Sequence, residues 1–247
     1  MSGKPEPGAK TGRQSLRQEV VEGIKRYILE EKLRPGDPLP SETALCEELG
    51  ASRSSVREAV KILNALDIVE VRHGHGTYVG RLSLSALVES LTFRGMLSPD
   101  DDFRVMADLV DVRELFERGM AERIVALLTT SQLDVLEGLV ARMRETGAKD
   151  GHGFVEVDRE FHAQLVKPLG NVLIGQLSMA FWEVYTVVAP HLDGFDAAYE
   201  ASTIADHQAI VDAARAGDVP GFLNALTRHY TPVRRRIADA RERREAG

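Results

Sequence analysis

Four side chains in the C-terminal half have the types and spacing to hold a transition metal. Asp158 and His162 lie four residues apart in VDREFH, so on a helix both leave from one face. His207 stands in DHQAIVDAARAGD, and His229 follows 22 residues later in ALTRHY. A helix, a turn at Gly217-Asp218 and an antiparallel return bring those two imidazoles level. Three imidazoles and one carboxylate suit zinc, nickel, manganese or iron rather than calcium or magnesium. The same residues also fit hydrogen-bonded core histidines and a local Asp-His helix pair, and spacing alone leaves both readings open.

A second group, Arg53, Ser54, Ser55 and Arg57, has the chemistry of nucleic-acid recognition. Arginine can bond two acceptors on guanine at once, and serine can serve a base or a phosphate. These types matter only at the start of a helix that enters a groove. Elsewhere they would be an ordinary solvated face.

The elements around that group meet the requirement. Leu16, Val20, Ile24 and Ile28 recur every fourth residue, and Arg34 to Pro38 ends the helix they imply. Ser41 caps a short helix carrying Ala44, Leu45 and Leu49. Gly50-Ala51 makes a tight turn, and Ser52 caps a third helix with Val56, Val60 and Leu63 inside. The period then changes to alternation: Ile68, Val69 and Val71 lead into Arg72-His73-Gly74-His75-Gly76, with Thr77, Tyr78 and Val79 beyond, the pattern of a hairpin. Three helices and a hairpin make a winged helix-turn-helix. From Leu82 onward the pattern is helical, with helices predicted at about 84 to 95, 100 to 128, 131 to 145, 153 to 167, 171 to 189, 197 to 216 and 219 to 244. The fold class is therefore mainly α: an N-terminal winged helix-turn-helix plus an all-helical antiparallel bundle of six to seven helices. The predicted division is a disordered arm at 1–14, a winged domain at 15–80, a linker with a short helix at 81–102, and a helical domain at 103–247.

The chain has 247 residues, 43% hydrophobic and 28% charged, with a net charge of -7 and one cysteine, Cys46. Internal disulfides are excluded, and neither a signal peptide nor an apolar run of the roughly 20 residues needed to span a bilayer is present, so a cytoplasmic protein with no membrane partner is expected. The acidity is local. Lys plus Arg against Asp plus Glu is 12 against 12 in residues 1–80 and 19 against 26 in residues 81–247. The predicted winged domain is neutral, and the bundle carries the whole excess.

On these motifs the N-terminal part resembles the GntR family of bacterial transcription regulators. Its LPSE, SR-x-x-VREA and HG-x-GT-[FY]-V elements fall on Leu39 to Glu42, Ser52 to Ala59 and His73 to Val79. The resemblance implies that Arg53, Ser55 and Arg57 hold an operator in the major groove while His73 and Gly74 place the wing at the minor groove. Thr43, on the same DNA-facing side, stands where the family commonly has arginine, and His75 where the wing often has arginine or lysine. The C-terminal part resembles the FCD domain of the FadR subfamily. That resemblance implies a divalent metal, zinc first and nickel, manganese or iron otherwise, held by Asp158, His162, His207 and His229. It also places the R-x3-E element on Arg113 and Glu117 and a GN pair on Gly170 and Asn171, with Arg113 and Asn171 as contacts for a small carboxylate effector. Pro168 departs from the small residue usual there and should end its helix early.

The expected protein is a homodimeric, effector-responsive DNA-binding regulator, a repressor by resemblance, that reads a palindromic operator. It is not expected to be an enzyme. The alternatives are a metal-dependent enzyme fused to a DNA-binding domain and an effector-independent DNA-binding protein with a scaffolding bundle. Phe181, Trp182 and Tyr185 suit a cavity lining or a plain apolar core equally well. The Arg234 to Arg236 run reads as a solvated helix end.

Overall fold

The apolar spacing of the first helix is satisfied by one buried stripe. α1 (Gly8–Glu30) buries Val20, Val21, Ile24 and Ile28. The computed structural model describes residues 8–97, 103–147, 151–188 and 196–245. Residues 1–7 of the expected arm lie outside them, and α1 already includes 8–14. Those positions lack apolar residues, yet Ala9, Lys10, Arg13 and Gln14 are good helix formers and extend a helix already nucleated by the packed stretch beyond.

α2 (Glu42–Leu49) starts at Ser41, whose Oγ accepts from the Ala44 N–H, and ends at Gly50 with φ +58°. α3 (Arg53–Ala65) starts at Ser52, whose Oγ accepts from the Ser55 N–H, and buries Val56, Ala59, Val60 and Leu63. β1 (Val69–Arg72) and β2 (Gly76–Val79) pair antiparallel, with Val69 opposite Val79 and Arg72 opposite Gly76. Residues 36–39 run along the free edge of β2: the Leu39 N–H donates to the Thr77 carbonyl and the Val79 N–H to the Asp37 carbonyl. The proline-rich stretch that ends α1 thereby braces the wing. Leu39, Leu45, Val69 and Val79 close one core with the inner faces of α1 and α3.

The chain divides into two compact units, Met1–Ala86 and Leu87–Gly247. Past the hairpin the described elements are α4 (Ser85–Leu97), α5 (Arg104–Gly119), α6 (Ala121–Leu127), α7 (Thr130–Gly147), α8 (Gly151–Val166), α9 (Val172–Val188), α10 (Ala197–Arg215) and α11 (Val219–Glu245). The single helix expected over 100–128 is two, broken at Met120, and its residues 100–102 lie outside the described set. On α4, Val88 and Leu91 pack on a cluster built by Met106, Leu109, Val110, Val184, Tyr230, Val233 and Ile237. A larger core joins α6, α7, α8, α10 and α11 through residues such as Ile124, Leu136, Met143, Phe161, Ile210 and Phe222. Pro168 sits in a single 3-10 turn, Lys167–Leu169, directly after α8, and the loop to α9 turns at Gly170 with φ +63°. No single helix among the described residues is long and apolar enough to cross a membrane.

Candidate metal centre and nucleic-acid interface

α8 supplies Asp158 and His162 from one face, as their i, i+4 spacing requires, while α10 and α11 supply His207 and His229 across the Gly217-Asp218 turn. Gly217 takes φ +68°, and the Asp218 carboxylate accepts from the Gly221 N–H to open α11. All four ligand-bearing residues are buried, and one donor atom from each falls within 4.8 Å of the others. His162 Nε2 is 3.1 Å from His229 Nε2 and 3.4 Å from Asp158 Oδ1, and His207 Nε2 is 2.9 Å from the same oxygen. Ligand atoms about 2.1 Å from a shared ion in neighbouring positions stand roughly 3 to 3.4 Å apart, so the four residues fit a divalent ion.

The outward nitrogens make the same point. His207 Nδ1 lies 2.7 Å from the Thr203 carbonyl, which can only accept, so Nδ1 carries the hydrogen. That leaves Nε2 to face the Asp158 carboxylate, a contact that a shared cation or a second ring hydrogen would bridge. His162 Nδ1 lies 2.9 Å from Glu117 Oε1 and donates to it, leaving its Nε2 lone pair facing His229. An imidazole whose distal nitrogen is tied to a carboxylate or carbonyl is the arrangement metal-binding histidines adopt.

The electrostatics are those of a dense buried array. Burial opposes ionisation of Asp158, but His207 and His162 outweigh it and hold its carboxyl well below the usual range. Burial, then the charges of His207 and His162, drives the His229 imidazole well below its ordinary value. Burial and the Arg113 charge push His162 down, yet Glu117 and Asp158 prevail and leave it raised.

α5 completes the surroundings. Arg113 and Glu117, one turn apart, form a pair at 3.2 Å with side chains only 11% and 1% exposed. This i, i+4 ion pair is interior. Arg113 also lies over the Trp182 ring at 4.3 Å, and its Nη2 is buried without a hydrogen-bond partner among the described residues. A buried, unpaired guanidinium nitrogen is a costly vacancy that an anion would fill. Trp182 is therefore both core and site wall: its ring centroid is 5.8 Å from that of His162. Asn171 is placed otherwise than expected. It is exposed, and its Oδ1 accepts from the N–H groups of Leu173 and Ile174, so it caps α9. Arg236 corrects another expectation: it is buried and lies over the Tyr199 ring at 4.8 Å, while Arg234 bonds Asp111 and Glu114. A groove of about 510 Å³ between α10 and α11 includes Tyr199, Asp206, Arg228, Pro232 and Arg236 in its lining, but none of the four ligand-bearing residues.

In the winged unit, Arg53, Ser54 and Arg57 are exposed at the N-terminus of α3, while Ser55 is half-buried and bonded to the Ser52 cap. Arg57 Nε lies 2.8 Å from Glu42 Oε2, so the glutamate of the LPSE stretch pairs with α3 across the turn, a contact that no local spacing reveals. Thr43 is exposed on α2. His73 and Gly74 form the exposed tip of the wing, which requires φ +77° at Gly74 and +101° at Gly76.

Comparison with known proteins gives the same two parts. The profile of the FCD domain matches residues 108–231, and that of bacterial regulatory proteins of the gntR family matches residues 16–79. The chain is 28% identical over 199 residues to the galactonate operon transcriptional repressor of Escherichia coli K12, covering 81% of this chain and 86% of that protein. It is 47% identical over 93 residues to the putative transcriptional regulatory protein NedR of Micromonospora viridifaciens, 38% of this chain and 67% of that one. The Glc operon transcriptional activator of E. coli K12 is 35% identical over 156 residues, 63% of this chain and 58% of its own. Among solved structures, Streptococcus agalactiae GntR superposes with a TM-score of 0.66 at 28% identity, covering 89% of this chain and 99% of that one.

Proposed function

From the premise that the chain belongs to the gntR family of bacterial regulatory proteins and carries an FCD domain, and so is a DNA-binding transcription regulator, we propose that a small carboxylate bound beside a divalent metal controls its grip on an operator. Asp158, His162, His207 and His229 would hold the ion, zinc first and nickel, manganese or iron otherwise. The ion would supply a fixed positive charge and open coordination positions for an anion. Arg113 faces that anion with its unpaired Nη2, giving a planar, charge-assisted contact that lysine would not reproduce. The single observation that carries this reading is the convergence of three buried imidazoles and one carboxylate whose outward nitrogens at His162 and His207 are already committed elsewhere.

Arg53, Ser54, Ser55 and Arg57, with Thr43 beside them, would meet the major groove, and His73 and Gly74 the neighbouring minor groove. Two subunits would read a palindrome, because a two-fold homodimer presents two such helices to two half-sites. The protein would act as a repressor whose operator binding the effector modulates. Such control requires the effector to bind the DNA-competent and DNA-incompetent arrangements unequally, typically by about 1 to 3 kcal/mol. The name of the galactonate operon repressor makes sugar acids the first effectors to try.

The deciding experiment is a thermal-shift screen of organic and sugar acids on zinc-loaded protein, with hits carried to operator binding. An acid that raises the melting temperature and displaces operator supports the reading. Normal effector response by the double variant Asp158→Ala, His162→Ala would overturn the metal-bridged part.

A further inference from the structure

Glu117 is buried to 1% exposure on the inner face of α5, where an ionised carboxylate is costly unless its lone pairs have donors. Three donors converge on it from three different helices. His162 Nδ1 stands 2.9 Å from Oε1, Arg113 Nε 3.2 Å from the same oxygen, and the Tyr230 hydroxyl donates to Oε2 at 2.7 Å. These three are not interchangeable neighbours. His162 is a member of the ligand set, Tyr230 directly follows the ligand His229 on α11, and Arg113 is the cation with the unpaired Nη2. One carboxylate therefore orients a metal ligand and an anion contact at the same time.

We infer that Glu117 is the positioning residue that couples the metal centre to the effector site. It fixes His162 with the hydrogen on Nδ1, which turns the Nε2 lone pair inward, and it engages Arg113 through Nε, which leaves Nη2 directed elsewhere. Loss of its charge loosens both ends: the His162 ring can adopt the other tautomer, and the guanidinium loses the partner that sets its plane. Outer carboxylates of this kind typically contribute 10- to 100-fold to metal affinity. The consequence specific to this chain is that a substitution remote from any open coordination position changes the metal and the carboxylate affinity together.

This inference rests on the metal reading above, and the test separates the two. Cobalt(II) is titrated into full-length wild-type protein, Glu117→Gln and Arg113→Gln, with affinity from chelator competition and site geometry from the visible absorption spectrum. Far-ultraviolet circular dichroism of the metal-free proteins reports folding. The expected result is cobalt binding about 10- to 100-fold weaker in Glu117→Gln, with an altered spectrum, at unchanged metal-free helicity. Arg113→Gln should keep the wild-type spectrum in the absence of carboxylate, because Arg113 bonds Glu117 and none of the four candidate ligands. If Glu117→Gln loses helicity, Glu117→Asp serves as the second variant, retaining the charge but drawing it back from His162, and the same weakening is expected. Cobalt affinity within twofold of wild type in a folded Glu117 variant would overturn the inference and leave the metal centre standing. No cobalt binding by wild type would overturn the metal centre, and this inference with it.

Discussion

The His162 and His229 rings differ in what a proton costs each of them, which sets how the centre responds to acid. Asp158 is held ionised and His229 neutral, so neither has a proton to displace near neutrality. His162 is different: burial and Arg113 disfavour its proton, but Glu117 and Asp158 retain it above the ordinary histidine value. Metal must expel that proton. Metal affinity should accordingly fall as pH drops through the raised value, by up to about one logarithmic unit per pH unit for one linked proton. Chelator competition between pH 8 and 5.5 checks the sign, and an affinity that rose on acidification would contradict it. Loading should also stabilise the helical unit, by about 2.7 kcal/mol at a free concentration one hundred times the dissociation constant. Thermal melts with and without a chelator measure that, and His207→Ala should abolish the difference. On the DNA side, Arg53→Ala should weaken operator binding by about 1 to 3 kcal/mol if it reads a base edge, with selectivity relaxed at that base pair.

At the scale of elements, caps and close approaches decide what the hydrophobic pattern leaves open. The Ser52 Oγ bond to the Ser55 N–H sets where α3 begins, and hence which residues stand at its exposed end. Ser52→Ala should cost about 1 kcal/mol of stability in the winged unit, read by urea denaturation. Gly80 is more constrained: a Cβ there would lie 2.2 Å from the Asp67 carbonyl oxygen, a backbone atom that cannot step aside cheaply. Gly80→Ala should therefore destabilise the wing by about 2 kcal/mol or more, lowering operator affinity while leaving metal binding intact. Asn171 belongs to this scale as well. The Gly170-Asn171 pair stood out in the sequence, but the αL turn at Gly170 and the cap from Asn171 Oδ1 give both residues an architectural task.

For the whole molecule, the charge distribution separates the two tasks along the chain. Residues 1–80 are balanced, so DNA affinity must come from placement of a few cations rather than a broad basic surface. If the proposed homodimer sets Arg53 and Arg57 of both subunits against phosphates, four neutralised phosphates give a slope of about -4 in log affinity against log salt. Fluorescence anisotropy on a labelled operator measures the slope, and a value near zero would contradict the placement of these arginines. Under the proposed two-fold arrangement each half contributes few contacts, so a single half-site should bind far more weakly than a palindromic pair.

Much of this was open to reading from one chain because its signals are local. Helix period, the Ser41 and Ser52 caps, the glycine turn of the wing and the i, i+4 spacing of Asp158 and His162 all act over a few residues, and the structure contains each of them. An error arose where a local pattern had two uses: the Arg234 to Arg236 run fits a solvated end or, as at Arg236, a cation packed on tyrosine. The sequence by itself determined the two parts, the recognition elements and the four metal-binding candidates. Only the tertiary structure decided that Glu117 lies at the junction of His162, Arg113 and Tyr230, since those bonds join α5, α8 and α11 across 45 and 113 residues of chain, and no periodicity reaches that far.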